Sequence, residues 1–243
     1  MINPGRSAGR LSSRRMLALL TGVLAGVFLM GRLLRRKAEL PYRRLWRSAL
    51  AESFGMPAAG AIVGSAGEEY RRLILHQPCP RHPVLAYHLR WQILPALALY
   101  TALRRHGVEQ SRALREVERL AWREIGPLYQ RAIGWLKAVP DPFPTWRVLV
   151  RLAMRTIFPP AGWRTLPAVD DGICYGFDVV GCWYHEALTA LGAPELTAVF
   201  CRMDDYLAGL VPAPIGWSRQ GTIGTGAERC DFRWCRRTAS RES

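Results

Sequence analysis

The chain has 243 residues, enough for one large domain with a sizeable core, and 49% of them are hydrophobic, which excludes an intrinsically disordered chain. Its net charge of +15 is concentrated at one end, because residues 1–50 carry eleven Lys/Arg and only one acidic residue. A basic excess that brackets one apolar segment is typical of a membrane flank, so we predict no nucleic-acid partner.

An uncharged apolar run lies inside a basic N-terminus that we place at residues 1–40. The run covers Met16–Gly31 and extends past Arg32 to give a segment of residues 16–34. A transmembrane helix needs ~20 apolar residues, so this segment suffices as a membrane anchor if the flanking arginines reach the headgroups. More basic residues follow the run than precede it, which predicts a single-pass membrane protein with its domain in the cytoplasm. An uncleaved signal anchor and an over-extended start are the alternatives.

Residues 41–165 are predicted to form a helical body, because apolar residues recur there at helical spacing. A Gly/Ala-rich stretch is expected to separate the first two helices, and Pro95 is expected to interrupt the third. The predicted helices are Tyr42–Phe54, Ala66–His76, Leu85–His106, Glu109–Lys137 and Trp146–Ile157.

Residues 166–240 are predicted to form a part of the same domain that contains both strands and helices. Alternating apolar residues from Ile173 to Val179 have the period of a strand. Two helices and a hairpin with a Gly224–Gly226 turn follow: helices Cys182–Leu191 and Glu195–Leu210, strands Ile215–Ile223 and Arg229–Cys235. The predicted fold class is therefore α+β, in which a helical N-terminal body precedes a small antiparallel β-sheet and two helices in the C-terminal third.

The chain has six cysteines and no CxxC pair, a usage that does not resemble a secreted disulfide scaffold and favours reduced, cytosolic thiols. Cys182 is placed where a strand gives way to a helix, and the N–H groups of a helix start can stabilise a thiolate. His185 and Glu186 follow on the same helical side and could act as base and orienter. The alternative is a small buried Cys182 beside a surface His185.

Three further reactive residues lie on the second C-terminal helix. Cys201 and Asp205 face away from its apolar stripe and Asp204 lies at the edge of the stripe, so these side chains are either solvated or line a cleft. On the last strand, Cys230 shares a face with apolar residues, which predicts a buried thiol.

Arg219 has the planar fork of donors that suits a substrate carboxylate, or it forms an ordinary ion pair with Asp231 or Asp178. Three cysteines with His185 or Asp204 could form a zinc site, but their separations match no compact zinc motif. We therefore predict no metal and no cofactor, with zinc as the minor alternative.

Three segments resemble the C-terminal signature of the L-2-amino-thiazoline-4-carboxylic acid hydrolase family: FDVVGC, HEALTALGAPELTAVFCRMDD and SRQGTIGTGAERCDFRW. Two earlier segments resemble the helical part that precedes this signature: ILPALALYTALRRHG and FPPAGW. The resemblance covers residues from Leu85 to Trp234 and implies that water adds at a thiazoline C2, so that the ring opens to N-carbamoyl-cysteine. The matching motif positions are Asp178, Cys182, Gly192, Cys201, Asp204, Asp205, Arg219, Thr222, Gly226, Cys230 and Asp231. One departure is Trp183, where the family pattern leads us to expect proline.

The resemblance implies a hydrolase that opens a cyclic amidine-type C–N or C–S bond in a small amino-acid derivative. The residues that it implies for catalysis are Cys182, Cys201, Asp204, Asp205 and Cys230. For substrate binding we assign the motif positions Arg219, Thr222 and Asp178, and we add His185 from its place beside Cys182. A non-catalytic module that binds a small ligand, or senses a metal or thiol-reactive signal, is the alternative. The expected partners are a small-molecule substrate and the membrane, and no oligomeric state is predicted.

Overall fold

The computed structural model describes residues 39–237. Its helical body contains α1 (Arg43–Phe54), α2 (Met56–His76), α3 (Pro83–His88), α4 (Leu94–Arg105), α5 (Gln110–Gly134) and α6 (Pro142–Thr156). The C-terminal third contains β1 (Trp163–Asp170), β2 (Cys174–Cys182), α7 (Trp183–Ala190), α8 (Leu196–Ala208), β3 (Ile215–Ser218) and β4 (Cys230–Arg236). The α+β fold class is confirmed.

Helix α2 includes the Gly/Ala-rich stretch that we expected to lie outside a helix, so that prediction is wrong. The helix begins at Met56 rather than at Ala66. Alanine has the highest helix propensity, and Ala59, Ile62 and Ala66 follow one another at helical spacing on a fully buried face. Helix α2 packs against both α1 and α4.

The predicted interruption at Pro95 is confirmed. A wider π-helical turn, Leu89–Ile93, precedes α4, and the Leu94 N–H donates to the Leu89 carbonyl. The next bond of this pattern would come from residue 95, which as proline has no N–H. The carbonyl of Arg90 accepts a hydrogen bond from the Tyr70 hydroxyl at 2.9 Å. A buried tyrosine thus satisfies the carbonyl that the proline leaves free.

The four strands form one antiparallel sheet in the order β1-β2-β4-β3. The central strands place Phe177 opposite Phe232 and Tyr175 opposite Trp234, and the rings of each pair stack. These cross-strand aromatic pairs cover the face of the sheet that packs on the core.

Strand β1 was not predicted, because Pro167 lies inside it and proline argues against a central strand. In the sheet, β1 is an edge strand and pairs only with β2, so a residue without an N–H is tolerated there. The predicted start of the mixed part, residue 166, therefore falls inside a strand.

The predicted strand Ile215–Ile223 is too long, because β3 ends at Ser218. Beyond it, the N–H groups of Gln220 and Gly221 donate to the carboxylate of Asp231 instead of to a strand. Residues 219–226 are thus a loop held from the side by β4.

Cys174 and Cys235 lie opposite each other on β2 and β4 and form a disulfide bond. The expectation of reduced thiols is therefore wrong for this pair. The sequence could not reveal it, because the pairing depends on the register of two strands that are 61 residues apart.

The predicted anchor, residues 16–34, lies outside the described residues and stays a prediction. No helix between residues 39 and 237 is long and apolar enough to cross a membrane.

The disulfide predicts a redox-dependent stability. Closing a loop of this length restricts the unfolded chain, so reduction should lower the free energy of unfolding by about 2–4 kcal/mol. Urea denaturation with and without a reductant measures the difference. A Cys174→Ser variant should show no effect of reductant, whereas a Cys79→Ser control should respond like the parent. Finding both thiols free in the non-reduced protein would contradict the assignment.

Candidate functional site

Seven of the predicted site residues come together between α7, α8, the 219–226 loop and the start of β4, because Asp205 contacts Arg219 and Thr222 contacts Cys201. We call the other five the thiol–carboxylate site: Cys182, Cys201, Asp204, Arg219 and Cys230. Electrostatic and hydrogen-bond contacts connect its members, although they are spread over 49 positions of the chain.

Arg219 is the buried centre of the site, with only 6% of its side chain exposed. Its guanidinium donates to Asp204 at 3.0 Å, to both carboxylate oxygens of Asp205 at 2.8 and 2.9 Å, and to the Cys201 carbonyl at 3.0 Å. The aromatic faces of Trp217 and Phe232 cover it, with ring centroids at 5.7 and 5.5 Å. A substrate carboxylate would have to displace one of these acceptors, and the predicted role of Arg219 in binding it stays a prediction.

The two alternative partners of Arg219 are engaged elsewhere. Asp178 accepts a hydrogen bond from Arg233 at 2.7 Å, and Asp231 accepts the N–H groups of Gln220 and Gly221 at 2.8–3.0 Å. Both carboxylates fix the backbone beside the site, Asp178 across the sheet and Asp231 at the loop. The predicted role of Asp178 in substrate binding stays a prediction.

Cys201 and Cys230 form a hydrogen-bonded thiol pair with opposite pKa shifts. The Cys230 thiol donates to the Cys201 sulfur, which lowers the pKa of Cys201 despite its burial. The side chain of Thr222, the N–H of Gly224 and the charge of Arg219 lower the pKa of Cys201 further. The same bond to the Cys201 sulfur, together with burial, raises the pKa of Cys230. These contacts favour the thiolate at Cys201 with Cys230 as its donor, although Cys230 also accepts the Ile223 N–H at 3.2 Å, and the predicted burial of Cys230 is confirmed.

The Gly-rich turn reaches Cys201 because it carries no side chain at the contact. A Cβ added at Gly224 would lie 2.9 Å from the Cys201 sulfur and 2.9 Å from the α8 backbone at Ala198. Thr222 is buried and its hydroxyl accepts from the Thr225 N–H at 3.1 Å, which closes the turn. Gly226 ends it with φ 92°, a left-handed conformation that favours glycine. The turn therefore delivers a backbone N–H to the thiolate.

Cys182 does not show the acidity that its position at a helix start suggests. Burial raises the pKa of Cys182 to about 11, although the N–H groups of Tyr184 and His185 act in the opposite direction. The His185 ring lies 3.4 Å from the Thr197 hydroxyl through Nδ1, so its contact is with α8. Burial favours Cys182 as a neutral wall of the site, whereas Cys201 has the stronger basis for a thiolate.

Asp204 is a carboxyl group in a recess. Loss of solvation raises the pKa of Asp204 to about 7, against the opposing charge of Arg219, while 36% of its side chain remains accessible. Asp205 is more exposed, at 51%. A partly accessible carboxyl group that protein atoms nevertheless desolvate can hold or release a proton near neutral pH.

Sequence reasoning missed two tyrosines that interact with Asp204 and a histidine that contacts one of them. Tyr129 of α5 and Tyr184 of α7 both interact electrostatically with Asp204, and burial raises the pKa of Tyr129 to about 12. His88 lies 2.8 Å from the Tyr184 hydroxyl through Nδ1 and 2.7 Å from the Ile157 carbonyl through Nε2. Because a carbonyl only accepts, Nε2 carries the proton and the tyrosine donates to Nδ1. The sequence contains one indication of this group, because His88 lies within a predicted helix that is otherwise largely apolar.

Two other observations bear on where a ligand could bind. Among residues 39–237, no group of three or more His, Cys, Asp or Glu side chains is arranged to hold a metal ion. A surface groove of about 560 Å³ lies beyond the end of α8, lined largely by apolar residues 208–215. It contains none of the predicted site residues, so the candidate site rests on the chemistry of the thiol–carboxylate site.

The thiol pair predicts an ordered reactivity towards iodoacetamide. Cys201 should be alkylated at lower pH than the exposed Cys79 and before Cys182, because only the thiolate reacts. In Cys230→Ala the profile of Cys201 should move up by about one to two pH units, since a hydrogen bond to a charged group contributes about 1.5–3 kcal/mol. Site-resolved mass spectrometry from pH 5 to 9 measures this, with Cys79 as internal reference. Alkylation of Cys182 first would contradict the assignment.

The chain matches the model of the L-2-amino-thiazoline-4-carboxylic acid hydrolase family over residues 87–234, more than half of its length and a range that includes every predicted site residue. No curated protein and no solved structure matches it. The chain therefore belongs to the L-2-amino-thiazoline-4-carboxylic acid hydrolase family.

Proposed function

We propose that this protein opens a cyclic amidine of the thiazoline type in a small amino-acid derivative, with Cys201 as nucleophile. The family name supports the reaction class. The observation that supports the residue is the thiol pair, in which Cys230, the Gly224 N–H and Arg219 all favour a thiolate at Cys201. The sequence alone pointed first to Cys182, whose burial disfavours the thiolate.

In the first half of the proposed reaction, the Cys201 thiolate attacks C2, the carbon bonded to two nitrogens and the ring sulfur. The C2–S bond then breaks, and the departing sulfur takes its electron pair and a proton from Asp204. The enzyme now carries the former C2 as an S-linked amidinium. A protonated Asp204 is available because burial raises its pKa to about 7.

In the second half, water attacks the same carbon and gives one proton to the Asp204 carboxylate. The bond to Cys201 breaks, the thiolate is restored, and the carbon leaves as a carbamoyl group after its hydroxyl proton passes to solvent. The balance is one water consumed and one proton released for each amidinium opened. Arg219 holds Asp204 and Asp205 in place throughout and limits their mutual repulsion.

Turnover of 2-amino-thiazoline-4-carboxylate by the full-length protein tests the proposal. The free thiol and the N-carbamoyl group should appear together, by thiol titration and mass spectrometry. Cys201→Ala should lower kcat by at least about 10³-fold, and Asp204→Asn by about 10²–10⁴-fold. Cys79→Ala should leave the rate unchanged. A Cys201→Ala variant with the parental rate would refute the nucleophile, and folded parent without turnover at any pH would refute this substrate.

The pH profile tests the role of Asp204 separately. The pKa of Asp204 is raised to about 7, so the protonated form that gives a proton to sulfur is lost above that value. We expect kcat/KM to fall about tenfold per pH unit above about pH 7. In Asp204→Asn the residual rate should lack this decline, because that side chain no longer titrates. A rate that climbs steadily to pH 9 would instead assign Asp204 the role of a base only.

A non-catalytic sensor of thiol-reactive signals is the second candidate, and the contact between Cys201 and Cys230 favours it. Stabilisation of the protein by a ligand that is recovered unchanged would support this reading.

We further propose that residues 16–34 anchor the protein in a membrane. The basic flank supports a cytoplasmic domain, whereas the Cys174–Cys235 disulfide supports a domain in an oxidising compartment. A membrane-impermeant maleimide applied to intact cells distinguishes the two sides. It should label Cys79 only if the domain lies outside the cytoplasm.

A further inference from the structure

Two of the free thiols, Cys201 and Cys230, contact the same turn of the chain. Cys201 lies within α8 and Cys230 begins β4. The N–H of Ile223 donates to the Cys230 sulfur at 3.2 Å. At the next residue, Gly224, a Cβ would lie 2.9 Å from the Cys201 sulfur. Both sulfur atoms therefore border the peptide that joins Ile223 to Gly224, and the Cys230 thiol donates a hydrogen bond to Cys201 across it.

The two thiols differ in their access to solvent. Cys201 is half-buried, whereas Cys230 is only 5% exposed. A small neutral oxidant such as hydrogen peroxide therefore reaches the sulfur of Cys201 more readily than that of Cys230. The hydrogen bond from Cys230 also lowers the pKa of Cys201, and peroxides react with a thiolate rather than with a thiol. Cys201 is thus the sulfur that meets the oxidant, and Cys230 is the thiol held beside it.

Cys182 is the third thiol of the site and the competing partner for Cys201. It directly precedes α7, is also half-buried, and interacts electrostatically with both other thiols. Burial raises the pKa of Cys182 to about 11, so this thiol is protonated at neutral pH. The thiol that donates a hydrogen bond to the Cys201 sulfur is that of Cys230. The contacts therefore favour Cys230 as the partner of an oxidised Cys201.

The Cys174–Cys235 disulfide is out of reach of this thiol pair. Cys230 and Cys235 lie five positions apart on β4. At ~3.4 Å per residue this separates them by roughly 17 Å, and the odd number of positions places their side chains on opposite faces of the sheet. Cys230 packs in the hydrophobic core on one of these faces. Oxidation of Cys201 and Cys230 therefore needs an oxidant of its own and leaves the existing disulfide in place.

We propose that Cys201 and Cys230 are a reversible oxidation site for peroxides, at which oxidation joins the two sulfur atoms in a disulfide bond. The Cys201 thiolate attacks one oxygen of hydrogen peroxide, the O–O bond breaks, and Cys201 becomes a sulfenic acid as hydroxide leaves. The Cys230 sulfur then attacks the Cys201 sulfur, and the S–O bond breaks. The hydroxyl group departs with the Cys230 proton as water. The two sulfur atoms lose two electrons, and the peroxide becomes one water and one hydroxide. A dithiol reductant restores both thiols.

The disulfide switches off the proposed hydrolysis, because its sulfur atoms are no longer nucleophilic anions. The guanidinium of Arg219 bonds to Asp204, Asp205 and the Cys201 carbonyl without using a sulfur atom, so these contacts persist in the oxidised form. The effect on turnover rests on the proposed function. Formation of the disulfide does not, and it is measured separately.

Peptide mapping of the full-length protein tests the disulfide directly. Digestion with trypsin and Glu-C releases Cys201 within residues 196–202 and Cys230 within residues 230–233. The same digest leaves Cys182 on a different peptide. After treatment with hydrogen peroxide and a maleimide quench, the first two peptides should be joined, and dithiothreitol should separate them. A Cys182→Ser variant should form the same linkage as the parent.

Cys230→Ser is the matched variant for the second step, because its hydroxyl can still donate to the Cys201 sulfur but cannot form a disulfide. In the parent, peroxide should abolish turnover of the thiazoline and dithiothreitol should restore it. In Cys230→Ser, peroxide should carry Cys201 on to the sulfinic acid, which dithiothreitol does not reduce. Cys79→Ser should respond like the parent, since Cys79 does not belong to the pair.

Three results would overturn the proposal. One is a disulfide that joins Cys201 to Cys182 instead. Another is a parent protein in which Cys201 becomes a sulfinic acid while Cys230 stays a free thiol. The third is two free thiols at a peroxide concentration that oxidises the exposed Cys79. Folded protein that never hydrolyses the thiazoline would refute the proposed function, whereas the joined peptides would still establish the oxidation site.

Discussion

The candidate site depends on the burial of one guanidinium. Arg219 lies 6% exposed beneath two aromatic rings and can be kept there only because Asp204, Asp205 and the Cys201 carbonyl satisfy its donors. This one set of bonds ties the loop after β3 to the helix that carries the thiol. It also explains why two adjacent carboxylates can share a partly desolvated surface, since the cation between them offsets their repulsion. Loss of Arg219 would leave both carboxylates uncompensated.

The same constraint sets the asymmetry of the thiols. When one of two hydrogen-bonded thiols ionises, the charge is favoured on the sulfur that accepts more hydrogen bonds and is stabilised by a cation. Cys201 has the Gly224 N–H, the Thr222 hydroxyl and Arg219 in addition to Cys230. Cys182 has only backbone N–H groups against a large desolvation. In the proposed reaction, the preference for Cys201 as nucleophile therefore rests first on the hydrogen bond from Cys230 and then on the Gly-rich turn, which contributes a backbone N–H and no side chain.

The period of apolar residues correctly predicted α5, α8, β2 and the burial of Cys230, because these depend on local spacing. The reactive residues could be named from the family signature, but their roles could not, because the acidity of Cys201 depends on Gly224 and Arg219 in a loop closed by Asp231. Strand β1 was hidden by a proline that only an edge position tolerates. The disulfide was hidden because strand register cannot be read from cysteine spacing.

Asp204 shows how the site balances desolvation against charge. Loss of solvation raises the pKa of Asp204 to about 7, while the charge of Arg219 acts in the opposite direction and 36% of the side chain remains accessible. Arg219 also binds Asp205, so the cation limits the repulsion between the two carboxyl groups. In the proposed reaction, the departure of sulfur and the attack of water require a carboxyl group that can both give and take a proton near neutral pH. A partly desolvated carboxyl group beside a buried guanidinium meets that requirement, because the desolvation and the cation shift its pKa in opposite directions.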